Sequence, residues 1–410
     1  MGDCVPGIGR SRLLVSLLPG CFAAGVPARG GSDCVANYSY SWATIGNPGN
    51  RGPWVNELLR YVVLGGTENL PDHGAVDSVY RMATTEVTVG DWLEFVEVYR
   101  PYYLEQHGGS VVADSAFTGR CVDAFFVVSI NRRCTESMPT DMSWEYAARY
   151  CNWLHNDKID AAWAFETGAY ETSTFFVDED GFYHHQITRN PDAKYWIPSL
   201  DEWTKAAYYD PNRYGPGWPG YWSYPDMSDT RPGGNLPPGE GGERNAGDDD
   251  DLPERVYPYP VGSFDHVQSP WGLLDCAGGE QEHTEGFGFL PQDYVIRGAW
   301  SRAVKGTAYN NYADPVFSGP EEWEFNRDRI EFFDANSVRS PGVGLRLASM
   351  APCAADLAEP YGSVGAADVA AFAEFFLAGS SLADFAAPAG VLDLADISAF
   401  VGSAAGACCV

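Results

Sequence analysis

Glycine and proline punctuate this sequence so densely that long helices and wide sheets are disfavoured over most of it. There are 45 glycines and 28 prolines among 410 residues. Glycine charges element interiors backbone entropy and proline removes a donor, so such a chain is built from turns and short elements. It is nevertheless not the composition of a disordered chain. With 45% hydrophobic residues, 14% aromatic and 13 tryptophans, it can bury a sizeable core.

The net charge is −30, from 56 acidic against 26 basic residues. A nucleic-acid partner needs a basic face and is not expected. An acidic excess suits an extracytoplasmic, divalent-cation-rich setting. Arg10 and Arg12 precede an apolar run from Leu13 to Val26, with small residues at Val26-Pro27-Ala28. This is the layout of a secretory signal peptide over residues 1–30, and it predicts a secreted or periplasmic protein. No other run nears the ~18 apolar residues a membrane-spanning helix needs, so no transmembrane segment is expected. Of the ten cysteines, eight fall after the signal, and none of them forms a Cys-x-x-Cys zinc pair. Cys121 and Cys134 flank a short apolar segment and are placed to staple a hairpin. Cys353 with Cys408 or Cys409 brackets the tail.

From Tyr80 the patterning sharpens. Residues 81–88 read as a strand, and Val89 opens a helix with Trp92, Phe95, Val96 and Tyr99 on one face. Met138 to Trp144 reads as extended. A helix from Glu145 to Leu154 follows, with Ser143 or Asp141 as its N-cap. Tyr195 to Ser199 is extended and leads into a helix from Leu200 to Tyr208. Pro260 to Phe264 reads as a short extended piece, and a Pro-Trp-Gly turn at 270–272 separates it from an acidic loop. That loop crowds Asp275, Gly278, Gly279, Glu280 and Glu282 together. Such carboxylates and flexible carbonyls are what a hard oxygen-seeking cation such as Ca²⁺ requires, and equally what an acidic surface loop contains.

Taken in order, these pieces resemble the formylglycine-generating enzyme (sulfatase-modifying factor) family. They run from Thr85-Glu86-Val87-Thr88 through Ser143-Trp144, Cys151-Asn152-Trp153 and Pro198-Ser199-Leu200-Asp201-Glu202-Trp203 to Asn245-Ala246. Pro260 to Phe264, the 270–283 loop, Arg297-Gly298-Ala299-Trp300 and Gly344-Leu345-Arg346-Leu347-Ala348 complete the series. The resemblance implies an α+β domain over residues 34–349, related to the C-type lectin fold and low in regular secondary structure. It also implies calcium, with side chains of Asp275 and Glu282 and carbonyls of Gly278 and Glu280 as ligands. A second calcium set is implied at Asn245 and Ala246 with an acidic partner among Asp248 to Asp251, here taken as Asp251. Gly279, Gln281 and His283 stand where the family has an asparagine and two tryptophans. His283 is read as a substitute aromatic in the core.

The family's oxidases bind copper through a cysteine pair shortly after Arg-Gly-Gly-Ser. Here Arg297-Gly298-Ala299-Trp300 is followed by Ser301, Arg302, Ala303, Val304, Lys305 and Gly306, and no cysteine occurs between Cys276 and Cys353. Copper is therefore not expected, since Cu(I) needs soft thiolate ligands. The expectation is a secreted, calcium-stabilised binding or structural member with no catalytic residue. An oxidoreductase acting on protein cysteine by displaced chemistry is the alternative. Aromatics in the Gly-rich segment 211–255 fit either a groove for sugars or peptides or simple packing of the loop.

After Met350 the composition changes. Residues 351–410 hold no Lys, Arg or His, and Asp356, Pro360, Gly362, Asp368 and Phe372 recur 28 positions later as Asp384, Pro388, Gly390, Asp396 and Phe400. Each unit is a loop and a short apolar helix, resembling a degenerate dockerin-type repeat. Ala358, Pro360, Ala386 and Pro388 occupy positions where such loops carry oxygen ligands, so these loops are not expected to bind calcium. A small helical module that meets a protein partner is one reading of the tail, and an inert cap is the other.

Overall fold

The structure is a computed structural model. It describes residues 35–53, 73–109, 121–123, 128–177, 183–229, 259–289, 300–306, 331–334, 342–351, 364–380 and 391–405, with isolated positions such as 117, 119, 355, 357–358, 383 and 385. The chain divides into two compact units. Met1–Asp33 lies outside the described residues, with the expected signal peptide, and Cys34–Val410 is the unit described below.

Four short strands form the first sheet. They are β1 (Trp42–Ile45), β2 (Tyr80–Ala83), β7 (Tyr195–Trp196) and β14 (Ala348–Met350), in the order β1-β2-β14-β7. Every hydrogen-bonded pair in this sheet is antiparallel. The second sheet has the order β12-β11-β10-β13, from β10 (Gln281–Phe289), β11 (Trp300–Lys305), β12 (Glu331–Asp334) and β13 (Val343–Gly344). The β10–β13 pair is parallel. Three two-stranded ribbons complete the sheets: β3 (Val122–Asp123) with β4 (Ser129–Ile130), β5 (Phe176–Val177) with β6 (Tyr183–His184), and β8 (Tyr209–Asp210) with β9 (Gly220–Tyr221).

Helix α1 (Val89–Gln106) begins at Thr88, whose side chain caps the Asp91 amide while Asp91 caps Thr88 in return. Its inward face is the one the spacing predicts, with Trp92, Phe95 and Val96 fully buried and Tyr99 nearly so. Phe95 meets the rings of Trp92, Tyr99, Tyr150, Trp153 and Phe165 at centroid distances of 4.7 to 5.9 Å. Aromatic pairs of this kind contribute about 0.5–1.5 kcal/mol each beyond area burial, so rings do here what long helices do elsewhere. Helix α2 (Trp144–His155) is capped by Ser143. The short α3 (Trp163–Glu166) follows, and then α4 (Leu200–Tyr208), which Ser199 and Glu202 cap reciprocally. Cys121 and Cys134 are bridged, as the hairpin staple requires.

Two extended readings give way to turns. Strand β2 ends at Ala83, so only Thr88, through an isolated bridge to Pro139, returns to sheet pairing before the helix. Residues 260–264 form a turn, because Gly262 adopts φ +73° and sends the chain back. Residues 344–348 are split between β13 and β14, leaving Leu345, Arg346 and Leu347 between two sheets.

In the tail, α5 (Ala366–Leu377) and α6 (Leu394–Ala405) repeat one device. Buried Asp368 accepts from the Leu357, Ala358 and Gly365 amides at 2.6–2.8 Å, and buried Asp396 accepts from the Phe385 and Asp393 amides at 2.8 Å. Each carboxylate thus ties a loop to the first turn of its helix. Phe372 and Phe400, the corresponding aromatics, stack at 4.1 Å. Cys353, Cys408 and Cys409 lie outside the described residues.

Candidate functional site

The loop after β9 and the start of β10 bring the expected calcium residues to the seam between the two sheets. Asp275 takes a left-handed φ of +53°, and Gly278 and Gly279 follow at +93° and +66°. This run of left-handed residues coils the loop tightly. Glu280 and Glu282 are almost fully buried, and Asp275 is buried with its Oδ2 accepting from the Gly262 amide at 2.5 Å.

The sequence did not single out the two residues that organise this loop. Arg346, fully buried, donates from Nε and Nη2 to Glu282 at 2.8–3.0 Å. It also binds the carbonyls of Ala83, Thr84, Leu274 and Asp275 at 2.7–3.2 Å. Trp203 of α4 adds an indole N–H to Glu282 Oε2 at 2.5 Å. Glu86 is buried just after β2. Its Oε1 accepts from the Glu280 amide at 2.9 Å, and its Oε2 has no hydrogen-bond partner. A Cβ at Gly279 would collide with the Glu86 carboxylate, so glycine makes the room. Both organisers lie inside pieces that carry the family resemblance, but their pairing spans the chain and has no local signature.

Burial, with the Asp275 and Glu282 carboxylates beside it, pushes the Glu86 carboxyl well above its ordinary range. Burial raises Asp275 too, with Glu282 adding to it. Burial works against the Arg346 charge, but Glu282 more than offsets this and holds the guanidinium protonated. Three buried carboxylates therefore face one guanidinium. The donor set fits a cation in charge, and Glu86 keeps one bare oxygen. In ligand roles it departs from expectation, because both oxygens of Glu282 are engaged by Arg346 and Trp203. Among the described residues no group of three or more His, Cys, Asp or Glu side chains is arranged to hold a metal ion. Asn245, Ala246 and Asp251 lie outside the described residues.

His283 is buried in β10 and donates from Nε2 to the Met142 carbonyl at 2.8 Å, and burial pushes its imidazole down to about 4. It is a neutral core ring, as read from the sequence.

Strand β11 carries the residues that follow the Arg-Gly-Ala-Trp segment. Arg302 is almost fully buried, flat against the Trp144 ring at 3.7 Å, and binds the carbonyls of Gln186, Ile187 and Glu285 at 2.6–3.0 Å. Burial lowers its guanidinium to about 10. Lys305 is buried between the Trp203 and Tyr208 rings. Cys151 and Cys276 are buried thiols outside the disulfide, and burial pushes Cys151 well up. Such a thiol behaves as a small apolar residue.

A second arginine knot lies across β10. Arg189 grips Glu202 at 2.6 and 3.1 Å and Glu285 at 2.9 Å, lying over the Trp196 ring at 4.2 Å. Tyr170 and the Arg189 amide also donate to Glu285, and Trp196 and the Ser199 amide to Glu202.

The profile of the sulfatase-modifying factor enzyme 1-like domain matches residues 58–351. The chain belongs to that family, and its fold is the family's α+β fold. CarF is 16% identical with a TM-score of 0.41, covering 76% of this chain and 98% of its own. PvdO from Pseudomonas aeruginosa is 13% identical with a TM-score of 0.38, covering 76% and 92%. Variable protein 1 of Treponema denticola is 16% identical with a TM-score of 0.36, covering 76% and 95%. No curated protein matches.

Proposed function

We propose that this chain is an exported binding or structural member of the family that does not oxidise cysteine. One observation carries the reading: no cysteine stands between Cys276 and Cys353, and β11 fills that region with buried Arg302, Ala303, Val304 and Lys305. Neither a guanidinium nor an ammonium can replace a thiolate pair on Cu(I). The bridged Cys121–Cys134 pair supports an oxidising compartment. Among the described residues no helix is long and apolar enough to cross a membrane. Calcium belongs to the reading as a structural ion that Asp275 and Glu86 would hold, supplying the positive charge that Arg346 alone does not. On the tail, Leu377, Leu394 and Val401 stand well exposed and support a role in meeting a protein partner.

The test is incubation with a Cys-x-Pro-x-Arg peptide, copper and oxygen. No aldehyde is expected, and steady turnover would replace this reading with that of an oxidoreductase using displaced chemistry.

A further inference from the structure

The ribbon β8–β9 ends in a closed tip, residues 211–219. Asn212 Oδ1 accepts from the Gly217 amide at 2.9 Å, the Trp218 amide donates to Gly215 O at 2.9 Å, and the Tyr214 amide donates to Trp218 O at 3.0 Å. Arg213, gripped by Asp229 at 2.6 and 2.7 Å, lies against the Tyr214 and Trp222 rings. The tip is thus ordered by its own bonds. Even so, it holds Trp218 at 68% and Tyr214 at 53% exposure, and no ring among the described residues stacks on Trp218. An indole left in water on an ordered loop forgoes burial that a ligand would restore.

Beside it opens a cleft of about 520 Å³, the size of a small-ligand site. Gly217 and Pro219, on either side of Trp218, line one wall. Asn47, Asn50 and Arg51 line another, and Phe375 of the tail a third. The wall is braced from below, since buried Lys205 donates to the Asn47 carbonyl at 3.0 Å and Asn50 bonds the Gly74 carbonyl and the Tyr221 hydroxyl. Among the described residues the lining holds no carboxylate, and these residues offer a cationic ligand no counter-charge. Arg51, the one cation among the described lining residues, donates to the carbonyls of Gly52 and Pro219, and a chain of net charge −30 repels anions. What remains in the described lining is amides, backbone groups and the Tyr209 and Phe375 rings, with the exposed indole of Trp218 set between two lining residues at the rim.

We propose that this cleft binds a neutral oligosaccharide, with one pyranose ring stacked on Trp218 and hydroxyls meeting the amides of the Asn47–Arg51 and Asn212 walls. The inference rests on the binding-member reading and gives it a ligand class. The experiment is calorimetric titration of the full chain with neutral hexasaccharides of β-linked glucose, β-linked xylose and α-linked mannose. Parallel titrations use choline and an oligogalacturonate. Binding of at least one neutral hexasaccharide is expected, with protection of Trp218 fluorescence from acrylamide. Trp218→Ala, at an exposed position, should weaken that binding about tenfold or more. Asn212→Asp keeps the oxygen that closes the tip, replaces the amide donor with a charge, and should also weaken it. Binding of choline or the acidic sugar alone overturns the proposal. So does no binding of any hexasaccharide, or binding that Trp218→Ala leaves unchanged. The peptide-oxidation assay does not depend on this cleft, so failure here and failure of the non-oxidase reading are told apart.

Discussion

The molecule ties its core with two arginine knots that solve one problem differently. Arg189 serves Glu202 and Glu285, and neutral donors from Tyr170, Trp196 and two backbone amides share the work; the arginine side chain keeps 25% of its exposure. Arg346 is sealed, grips one carboxylate, Glu282, besides backbone carbonyls, and leaves Glu86 and Asp275 beside it with fewer donors. The contrast teaches that burial of like charges is tolerable where hydrogen bonds substitute for countercharge. Where they do not, a proton or a cation must make up the difference.

The contrast can be broken from either side. Replacing Arg346 by Met should cost the most, about 3–5 kcal/mol, since it strands buried carboxylates without their cation. Arg189→Leu should cost less because water reaches that side chain. Urea denaturation of both variants gives the order, and an equal loss would mean that the sealed knot is nothing special. The next effect concerns calcium. A hundredfold excess over Kd stabilises by about 2.7 kcal/mol, so chelator should lower the melting temperature of the parent chain. In Glu86→Gln the chelator effect should shrink. If chelator leaves the parent unmoved, calcium is not the missing charge.

The smallest effect is one of pH. Burial raises Glu285 to about 6, against the pull of Arg189. A carboxyl whose folded pKa lies above its unfolded value of about 4.3 favours the fold most when protonated. Its contribution is therefore full below pH ~4 and is lost as pH rises through ~6, about 2 kcal/mol in all. Glu285→Gln should flatten the stability profile across that window. A profile with the same slope in parent and variant would assign the titration elsewhere.

Much of the fold was legible because it is local. The buried stripe of α1 follows from helical spacing, α4 reads as the helix after the extended stretch 195–199, and the Cys121–Cys134 staple follows from the segment it flanks. The site was half legible. Asp275 and Glu282 announce an acidic loop, but nothing near Glu282 in the sequence announces its bonds to Arg346, 64 residues on. Glu86 hid in a segment that reads as strand, where alternation places it on a face without saying what the face meets. The turn at Gly262 was missed because β-branched and aromatic neighbours mask one glycine's left-handed freedom.

The segment from Gly342 to Met350 has a consequence for the order of assembly. It accepts from the amides of Ala83, Val87, Met142 and Gln281, and it lays β14 between β2 and β7, strands made long before it. During synthesis those earlier pieces wait with open edges until more than four-fifths of the chain exists. Such non-local closure is slow, and waiting edges invite wrong partners. A chain stopped short of residue 342 should therefore accumulate as an aggregating species rather than as a smaller folded protein. A chain that must cross a membrane before folding is helped by the same delay.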